Sequence, residues 1–255
     1  MLGMEKVLTM KNISRRNFIA ATAATTALIA SGGKVAKAQT KKNNKLVKEH
    51  SMTYTVREEL KPSNLNGISA DQIEQHWGLY KGYVAQSNGL KKELDELRAA
   101  GKGDSPAYAD RRRRFGFEFC GMTLHEYYFG NLKADVKEDS AKNFKEAVEK
   151  QWGSFDAWKE DFANAGKTRS IGWAICYMDP MTGDINNHFI QLHEEGNIPG
   201  YEPLVVMDVW EHAYMVDHAA SGRGDYIKAF FSNIDWDAVE ARLRDAKAKA
   251  ASKRF

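Results

Sequence analysis

The segment of this chain with the most chemical content is Asp208-Val209-Trp210-Glu211-His212-Ala213-Tyr214. It directly follows the apolar run Leu204-Val205-Val206-Met207, so Asp208 ends a stretch that we expect to be buried. A buried carboxylate is costly unless it is paired or binds a cation. Because Asp208 and His212 are four residues apart, they can converge on one metal ion. The segment therefore predicts part of a metal site.

Two more histidines lie in stretches that favour helices. His76 is followed by Trp77, and His125 lies in the aromatic-rich residues 124–129. A histidine on an apolar helix face is usually only a core residue, and that alternative stays open for each. Together with Asp208 and His212, however, they form a set of three imidazoles and one carboxylate, which suits iron or manganese with an open position. A closed zinc site would more often use thiolates.

The pattern of apolar residues predicts an α+β fold. Residues 69–100 and 111–132 read as two long helices around a break at 101–106, which predicts a helical hairpin. The second half combines helical patterns with strand patterns. The helical patterns lie at 141–165, 226–231 and 237–249, and the strand patterns at 171–178, 185–192 and 204–209. We therefore expect a long N-terminal helical hairpin and then a C-terminal domain with a small three-stranded antiparallel sheet surrounded by helices.

The first 38 residues have the pattern of an export signal. Arg15 and Arg16 precede a moderately apolar run at 18–30, and Ala36-Lys37-Ala38 offers small residues before a cleavage site at Gln39. This order is typical of a signal peptide, and the arginine pair indicates the twin-arginine type. An uncleaved anchor is the alternative, but the run is shorter than the roughly 20 residues of a membrane span. Since that route carries folded proteins, we expect export with a metal or redox group already bound, to the periplasm or outside the cell.

The charge distribution argues against a nucleic-acid partner. The chain has 255 residues and a formal charge of +3, but the first 38 residues carry +5 and residues 51–255 carry −5. The basic balance therefore belongs to the N-terminus. Four consecutive arginines at 111–114 resemble a nucleic-acid patch at first sight. On a helix they point around the whole circumference, so we interpret them as a solvated face.

Four segments follow from these patterns. We expect a twin-arginine signal at 1–38, a polar lysine-rich linker at 39–62, a helical hairpin domain at 63–135 and a C-terminal α+β metal-binding domain at 140–250. The two cysteines, Cys120 and Cys176, each lie in an apolar stretch. Two buried free thiols are therefore favoured, and one disulfide is the alternative.

Residues 208–214 resemble the signature of the iron/manganese superoxide dismutases. Residues 76–84 and 125–132 resemble, in order, the ligand segments of that family's first and second helices. Gly172-Trp173 resembles the start of its sheet, and residues 223–226 its C-terminal Arg-x-x-Tyr. The resemblance covers roughly residues 53–245. It implies an oxidoreductase that disproportionates superoxide to oxygen and hydrogen peroxide at one iron or manganese ion per subunit, with iron favoured and dual use open.

The resemblance also implies the roles of individual residues, with metal binding assigned to His76, His125, Asp208 and His212. In the family a water or hydroxide fills the fifth position, and a glutamine usually holds it by a hydrogen bond. At the two places where that glutamine stands, this chain has Gly121, which cannot donate, and His193. We therefore expect His193 to contact the solvent on the metal. Trp173 and Trp210 are expected to wall the site.

Two tyrosines depart from the family pattern. Tyr80 stands where the family commonly has a second histidine at the mouth of the substrate funnel. Tyr83 follows His76 by seven residues, whereas the family's gateway tyrosine follows by eight. Seven residues at 100° each return to within about 20° of the direction of His76. Tyr83 can therefore still face the metal and deliver protons.

The resemblance implies an assembly as well. In the family the glutamate of the signature reaches across a dimer interface to a ligand histidine, which predicts a homodimer or a dimer of dimers with Glu211 and Tyr214 at the interface. A surface salt bridge is the alternative for Glu211. Arg223 is expected to steer superoxide. Two other functions stay open: another mononuclear non-heme iron enzyme, and a catalytically silent metal-binding relative.

Overall fold

The computed structural model describes residues 53–252 of the chain. The predicted export signal and the first part of the predicted linker lie outside the described residues. Within the described part, the chain forms seven α-helices and three β-strands. They are α1 (Ala70–Ala99), α2 (Pro106–Phe129), α3 (Lys142–Trp152), α4 (Phe155–Gly166), β1 (Trp173–Met178), β2 (Ile185–Ile190), β3 (Glu202–Asp208), α5 (Met215–His218), α6 (Arg223–Phe231) and α7 (Trp236–Ser252).

Helices α1 and α2 form the predicted hairpin. Ser69 caps α1, because its hydroxyl accepts a hydrogen bond from the Gln72 N–H at 3.0 Å. Helix α2 begins at Pro106, not at residue 111 as predicted, because Ser105 caps it and proline suits the first helical turn. It ends at Phe129 instead of continuing to residue 132. The side chain of Asn131 bonds the Tyr128 carbonyl at 2.7 Å, so the backbone leaves the helix there.

The sheet has the strand order β2-β1-β3, and both pairings are antiparallel. Trp173, the first residue of β1, is paired with Ile190 on one side and Asp208 on the other. The start of β1 and the ends of β2 and β3 therefore lie at one end of the sheet. This register brings Asp208 and the loop that carries His193 together. The α+β prediction is confirmed.

One hydrophobic core runs through the hairpin and the sheet. Asn131 and Arg242 fasten the two parts together. Asn131 Oδ1 accepts the Val206 N–H of β3 at 2.9 Å, while the Arg242 guanidinium donates to the carbonyls of Tyr127 at 2.9 Å and Leu204 at 3.1 Å. Burial lowers the pKa of Arg242 to about 10. These bonds fix the end of α2 against β3, and therefore fix His125 relative to Asp208.

The prediction of a solvated linker up to residue 62 is wrong for residues 53–62. Tyr54, Val56 and Leu60 pack against the core, and the Tyr54 backbone exchanges two hydrogen bonds of 2.8 Å with the side chain of Asn88. The apolar residues scattered through this polar stretch explain the docking. The boundaries predicted at 63–135 and 140–250 stay predictions.

Two further predictions concern the thiols and the membrane. Cys120 is partly buried, Cys176 is fully buried, and both are free, so the alternative of a disulfide between them is wrong. Burial raises the pKa of both thiols. Among residues 53–252, no helix is both long and apolar enough to cross a membrane.

Candidate metal centre

The four predicted ligands come together in the structure. His76, His125, Asp208 and His212 offer ligand atoms that all lie within 4.8 Å of one another. Asp208 Oδ2 lies 3.1 Å from Nε2 of His76, 3.1 Å from Nε2 of His212 and 3.7 Å from Nε2 of His125. They come from α1, α2, the end of β3 and the turn after it. No pair except Asp208 and His212 is close in sequence.

The spacing and chemistry of these atoms fit a metal ion. Imidazole nitrogens and carboxylate oxygens bind a first-row ion at about 2.0–2.2 Å. Atoms at that distance, seen from the ion at 90–120°, are about 3.0–3.6 Å apart. Two of the three separations lie in this range, and the third, to His125 Nε2, is 0.1 Å longer. Nε2 of His125 is buried and has no hydrogen-bonding partner among the described residues. A buried nitrogen of this kind needs a partner, and a cation at the centre of the four atoms supplies one.

Helix α2 itself orients His125. Its Nδ1 lies 2.6 Å from the carbonyl oxygen of Gly121, one helical turn earlier. Nδ1 therefore carries the hydrogen and donates it, which leaves the lone pair of Nε2 directed at the cluster. Burial lowers the pKa of His125 well below its ordinary value and also lowers the pKa of His76. Both rings are therefore neutral at pH 7, as metal ligands must be.

Asp208 is held at its backbone and at its carboxylate. The Tyr226 hydroxyl donates to the Asp208 carbonyl at 2.7 Å, and the Trp210 N–H donates to Oδ1 at 2.8 Å. Oδ2 is left to face the three imidazoles. Burial alone would raise the pKa of this carboxyl, but the neighbouring His212 and His76 outweigh it and hold the pKa well below its usual range. Asp208 is therefore an anion, and it supplies the cluster with its negative charge.

His212 is the most accessible of the four ligands, with 22% of its side chain exposed. It lies in a short 3₁₀ turn, Glu211–Ala213. Gln72 of α1 holds this turn: its Nε2 donates to the His212 carbonyl at 2.6 Å, and its Oε1 accepts the Val216 N–H at 3.0 Å. A buried amide from the first half of the chain thus positions a ligand from the second half.

Beside the cluster, a chain of hydrogen bonds joins Trp173, His193 and Tyr83. The Trp173 indole Nε1 lies 3.1 Å from His193 Nδ1, and His193 Nε2 lies 2.7 Å from the Tyr83 hydroxyl. Because an indole N–H can only donate, Nδ1 must accept and Nε2 must carry the hydrogen. Burial lowers the pKa of His193 to about 4. The neutral His193 therefore donates to Tyr83, whose own hydroxyl hydrogen stays free for another acceptor.

Gly121 makes room for this chain. A Cβ at this position would lie 2.7 Å from Cδ1 of Tyr83 and 3.1 Å from Cδ2 of His193. The Tyr83 ring lies 5.0 Å from the His125 ring. A larger residue at 121 would therefore push Tyr83 or His193 away from the cluster. The Tyr83 ring therefore lies beside the cluster despite its shortened spacing, and its role in proton delivery stays a prediction.

The two predicted tryptophans wall the cluster. Trp210 stacks on His193 at 4.8 Å and on His212 at 5.7 Å between ring centroids, and Trp173 meets the His125 ring edge to face at 5.1 Å. Trp173 is fully buried. These rings keep water away from the ligands on the side of the sheet.

Tyr80 does not lie where the sequence comparison with the family puts it. Its side chain is fully buried, and its hydroxyl donates to Glu126 Oε1 at 3.0 Å and accepts the Arg57 N–H at 3.0 Å. Packing against Trp77 and the docked segment draws it into the core. Burial raises the pKa of Tyr80 to about 12 and also raises the pKa of Glu126. Tyr80 therefore anchors the N-terminal segment and does not line a substrate entrance.

The remaining predicted residues lie on the outer side of the cluster. Glu211 is exposed, and its carboxylate has no hydrogen-bonding partner within residues 53–252. Tyr214 is buried and stacks on Tyr226 at 5.5 Å. Arg223 donates to the Thr168 carbonyl at 2.8 Å and to the Tyr214 hydroxyl at 3.4 Å. The structure does not bring Arg223 to the cluster, and its steering role stays a prediction.

Sequence reasoning missed the two residues that position ligands from a distance, Gln72 and Tyr226. Gln72 stands four residues before His76, so it lies on the same helix face, and a glutamine on a face that is otherwise apolar was an available signal. Tyr226 was noted only as part of a resembling motif. Its bond to the Asp208 backbone depends on the packing of α6 against β3, which sequence spacing does not reveal.

Comparison with known proteins gives consistent findings. Residues 140–242 match the family model described as iron/manganese superoxide dismutases, C-terminal domain. The iron superoxide dismutase of Aquifex aeolicus is 37% identical over 205 residues, which cover 78% of this chain and 95% of that protein. The iron enzyme of Methanothermobacter thermautotrophicus is 32% identical over 186 residues, covering 70% and 87%. Manganese superoxide dismutase 2 of Haloferax volcanii is 32% identical over 167 residues, covering 66% and 82%. The chain therefore belongs to the iron/manganese superoxide dismutase family.

Proposed function

We propose that this protein is an exported superoxide dismutase that disproportionates superoxide to oxygen and hydrogen peroxide. The observation that carries the proposal is the buried group His76, His125, Asp208 and His212, whose ligand atoms are spaced as around one ion. When bound there, an iron or manganese ion would alternate between its +3 and +2 states, oxidising one superoxide and reducing a second. The four side chains would hold it with one negative charge and three neutral donors.

The chain's own residues supply the proton handling. Burial raises the pKa of the Tyr83 hydroxyl, so it stays protonated at neutral pH. His193 donates to its oxygen, and Trp173 fixes the tautomer of His193. The hydroxyl hydrogen of Tyr83 is therefore available to an anion that enters beside the cluster. Reduction of superoxide to hydrogen peroxide requires two protons, and Tyr83 is the group that delivers them from solvent one at a time.

Iron is the favoured metal. Two of the relatives described above are iron enzymes and one is a manganese enzyme. The donor set of three imidazoles and one carboxylate suits both metals. Residues around the ion tune its redox potential. At the two positions where the family usually has a glutamine, this chain has Gly121 and His193. Use of both metals is part of the proposal.

A homodimer fits the face that carries Glu211. Leu79 of α1 and Met215 and Val216 of α5 are large, exposed apolar residues, and α1 contacts both α5 and the Glu211–Ala213 turn. An exposed apolar face beside an unpaired carboxylate favours a second copy. Glu211 of the partner would then accept the Nδ1–H of His212, which has no partner within residues 53–252. Such a bond would fix the tautomer of a metal ligand.

Export rests on the sequence of residues 1–38, with Arg15 and Arg16 before a short apolar run. Expression of the full chain with a reporter, in cells with and without the twin-arginine transporter, tests it. Activity outside the cytoplasm should depend on the transporter and should be lost in the Arg15→Lys/Arg16→Lys variant. Export that is unchanged by both would contradict the proposal.

The activity is tested by reconstitution. Protein lacking residues 1–38 is loaded separately with iron and with manganese, and its metal content and its rate of superoxide decay are measured. We expect about one ion per subunit and a rate near the diffusion limit with at least one metal. A fully loaded protein that does not accelerate the decay would support the alternative of a catalytically silent metal-binding relative.

A further inference from the structure

A pocket of 530 Å³ opens between the two helices of the hairpin. Helix α1 lines it with Gly78, Leu79, Gly82, Tyr83, Gln86, Leu90 and Glu93, and α2 lines it with Arg111, Arg114 and Glu118. Cβ atoms at Gly78 and Gly82 would meet nothing within 4 Å. These two glycines have no side chain, so they leave space in the pocket on this side of α1. The side chain of Tyr83, the group that faces the metal cluster, is therefore part of the wall of a pocket that opens to solvent.

Arg114 is connected to the cluster through aromatic rings. Its guanidinium carbon lies 4.3 Å from the centroid of the Phe117 ring, and that ring lies 4.5 Å from the ring of His193 and 6.2 Å from that of Tyr83. The positive charge of Arg114 is one of the influences on the pKa of both His193 and Tyr83. Burial and Asp208 act more strongly on both groups, as do His212 on His193 and Glu118 on Tyr83. Arg111, Arg112 and Arg113 are not among the charges that influence the pKa of His193 or Tyr83.

The two arginines that line the pocket differ in how exposed their carboxylate partners are. Arg114 is 50% exposed, whereas its partner Glu118 is only 5% exposed. Arg111, in contrast, is bonded to Glu93 and Asp110, and both of these carboxylates are about half exposed. The charge of Arg111 is therefore offset at the surface. Arg114 presents the cationic end of its pair to the pocket.

If the proposed superoxide dismutase function holds, on which this inference rests, the substrate is a small anion. Residues 51–255 carry a formal charge of −5, so the body of the protein repels it. A local positive group at the entrance is then needed to raise the rate of encounter. We propose that Arg114 guides the superoxide anion into the pocket and towards Tyr83. The arginine run at 111–114, first interpreted only as a solvated face, thus contains one residue that serves the reaction.

The test compares Arg114→Gln with Arg113→Gln in the metal-loaded enzyme. Arg113 is 77% exposed, pairs with Asp110 and is outside the pocket, so its replacement makes the same charge change beside the entrance but not in it. We expect Arg114→Gln to lower kcat/KM about 3-fold at 0.01 M salt and to have almost no effect at 1 M, since the screening length falls from about 30 Å to about 3 Å. Arg113→Gln makes the same change of net charge farther from the pocket, so it should lower kcat/KM clearly less, by under about 1.5-fold at 0.01 M, and should have almost no effect at 1 M. Equal effects of the two variants would overturn the proposal.

Two further variants separate the charge of Arg114 from its packing. Arg114→Lys keeps the charge and should retain most of the wild-type rate and its salt dependence. Arg114→Gln/Glu118→Gln removes both charges and so avoids leaving a buried carboxylate unpaired. We expect about half the wild-type kcat/KM at low salt from the double variant. A wild-type rate in the double variant would mean that the single variant acts only through unmasked Glu118, and the proposal would be wrong.

A binding measurement keeps this inference separate from the proposed activity. Azide, a small monovalent anion, is titrated into the iron-loaded protein at low salt, and its Kd is taken from the visible absorption change. Arg114→Gln should weaken azide binding about 3-fold and Arg113→Gln should not. If the wild type bound azide with this pattern but did not dismutate superoxide, the proposed function would fail while the guiding role of Arg114 stood. Unchanged azide binding in Arg114→Gln together with an active wild type would refute the guiding role alone.

Discussion

The two halves of the chain supply the metal cluster in different ways. His76 and His125 lie within long helices and are fully buried. A carbonyl of its own helix orients His125. Asp208 and His212 lie at the end of a strand and in a turn, and distant side chains hold them, Tyr226 and Gln72. The helical half therefore provides rigid ligands, and the sheet half provides ligands whose positions depend on tertiary contacts.

Replacing one ligand from each half of the chain should have the largest effects. His125→Ala should abolish metal binding, because it removes a ligand from the dry side of the cluster. His212→Ala should leave weak binding, because that position is partly exposed and water can replace the imidazole. Metal content per subunit after dialysis against a weak chelator measures both. His218→Ala, a histidine outside the cluster, is the control and should keep full occupancy. Full occupancy in His125→Ala would refute its assignment as a ligand.

The second prediction concerns Gly121 of α2, which lies against one residue of each half of the chain. Gly121→Ala places a methyl group against Tyr83 of α1 and His193 of the sheet half. We expect a loss of about 1–3 kcal/mol in the free energy of unfolding from overpacking and a fall in kcat of about 10-fold. Gly116→Ala is the matched control, since a Cβ there meets nothing within 4 Å. It should stabilise the helix by about 0.5–1 kcal/mol. Chemical denaturation and activity assays measure the two effects, and a neutral Gly121→Ala would show that Tyr83 and His193 are not confined.

The third prediction tests the dependence of the sheet half on α1. Gln72→Leu removes the amide that holds the turn of His212 and leaves the His212 carbonyl without its donor. Metal affinity should fall about 10-fold, and the free energy of unfolding should fall by about 1–3 kcal/mol. Gln75→Leu changes an exposed glutamine on the same helix and should alter stability by less than about 0.5 kcal/mol. Competition with a chromophoric chelator gives the affinities. An unchanged affinity in Gln72→Leu would mean that the turn positions His212 without help.

The smallest effect is expected from Tyr226→Phe. This change removes one hydroxyl, which donates to the Asp208 carbonyl and lies 3.2 Å from the Tyr128 hydroxyl. Both groups are buried, so the free energy of unfolding should fall by about 1–2 kcal/mol. Metal content should stay complete, because the Asp208 carboxylate keeps its bond from the Trp210 N–H. Thermal unfolding of the two proteins, each with full metal occupancy, measures the difference. A loss of metal in Tyr226→Phe would show that the backbone bond matters more than the carboxylate bond.

Local sequence patterns predicted the secondary-structure elements and the chemical types of the candidate ligands. The α+β class, the hairpin and the three strands follow from local signals: apolar periodicity, helix caps, and turn residues between apolar runs. Local signals also marked the four ligand residues as candidates, and the resemblance to the family assigned them as ligands. Asp208 and His125 can be recognised in the sequence because each is a polar residue in an apolar stretch. Burying a polar group without a partner is costly, so such a residue indicates a paired or metal-binding group. The start of α2 was misplaced by five residues because a Ser105-Pro106 pair reads equally well as a loop and as a helix start.

Contacts between distant groups, in contrast, depend on the packing of whole elements. The tertiary structure placed Tyr80 in the core, because its hydroxyl found Glu126 and the Arg57 N–H. It set the direction of the bonds from Trp173 through His193 to Tyr83. It placed Arg111 and Arg114, of four consecutive arginines, in the wall of one pocket, and it paired Arg114 with the nearly buried Glu118. The physical reason is the same in each case: a side chain's partners and exposure depend on what the neighbouring element presents, and helical or strand periodicity gives only the face on which the side chain lies.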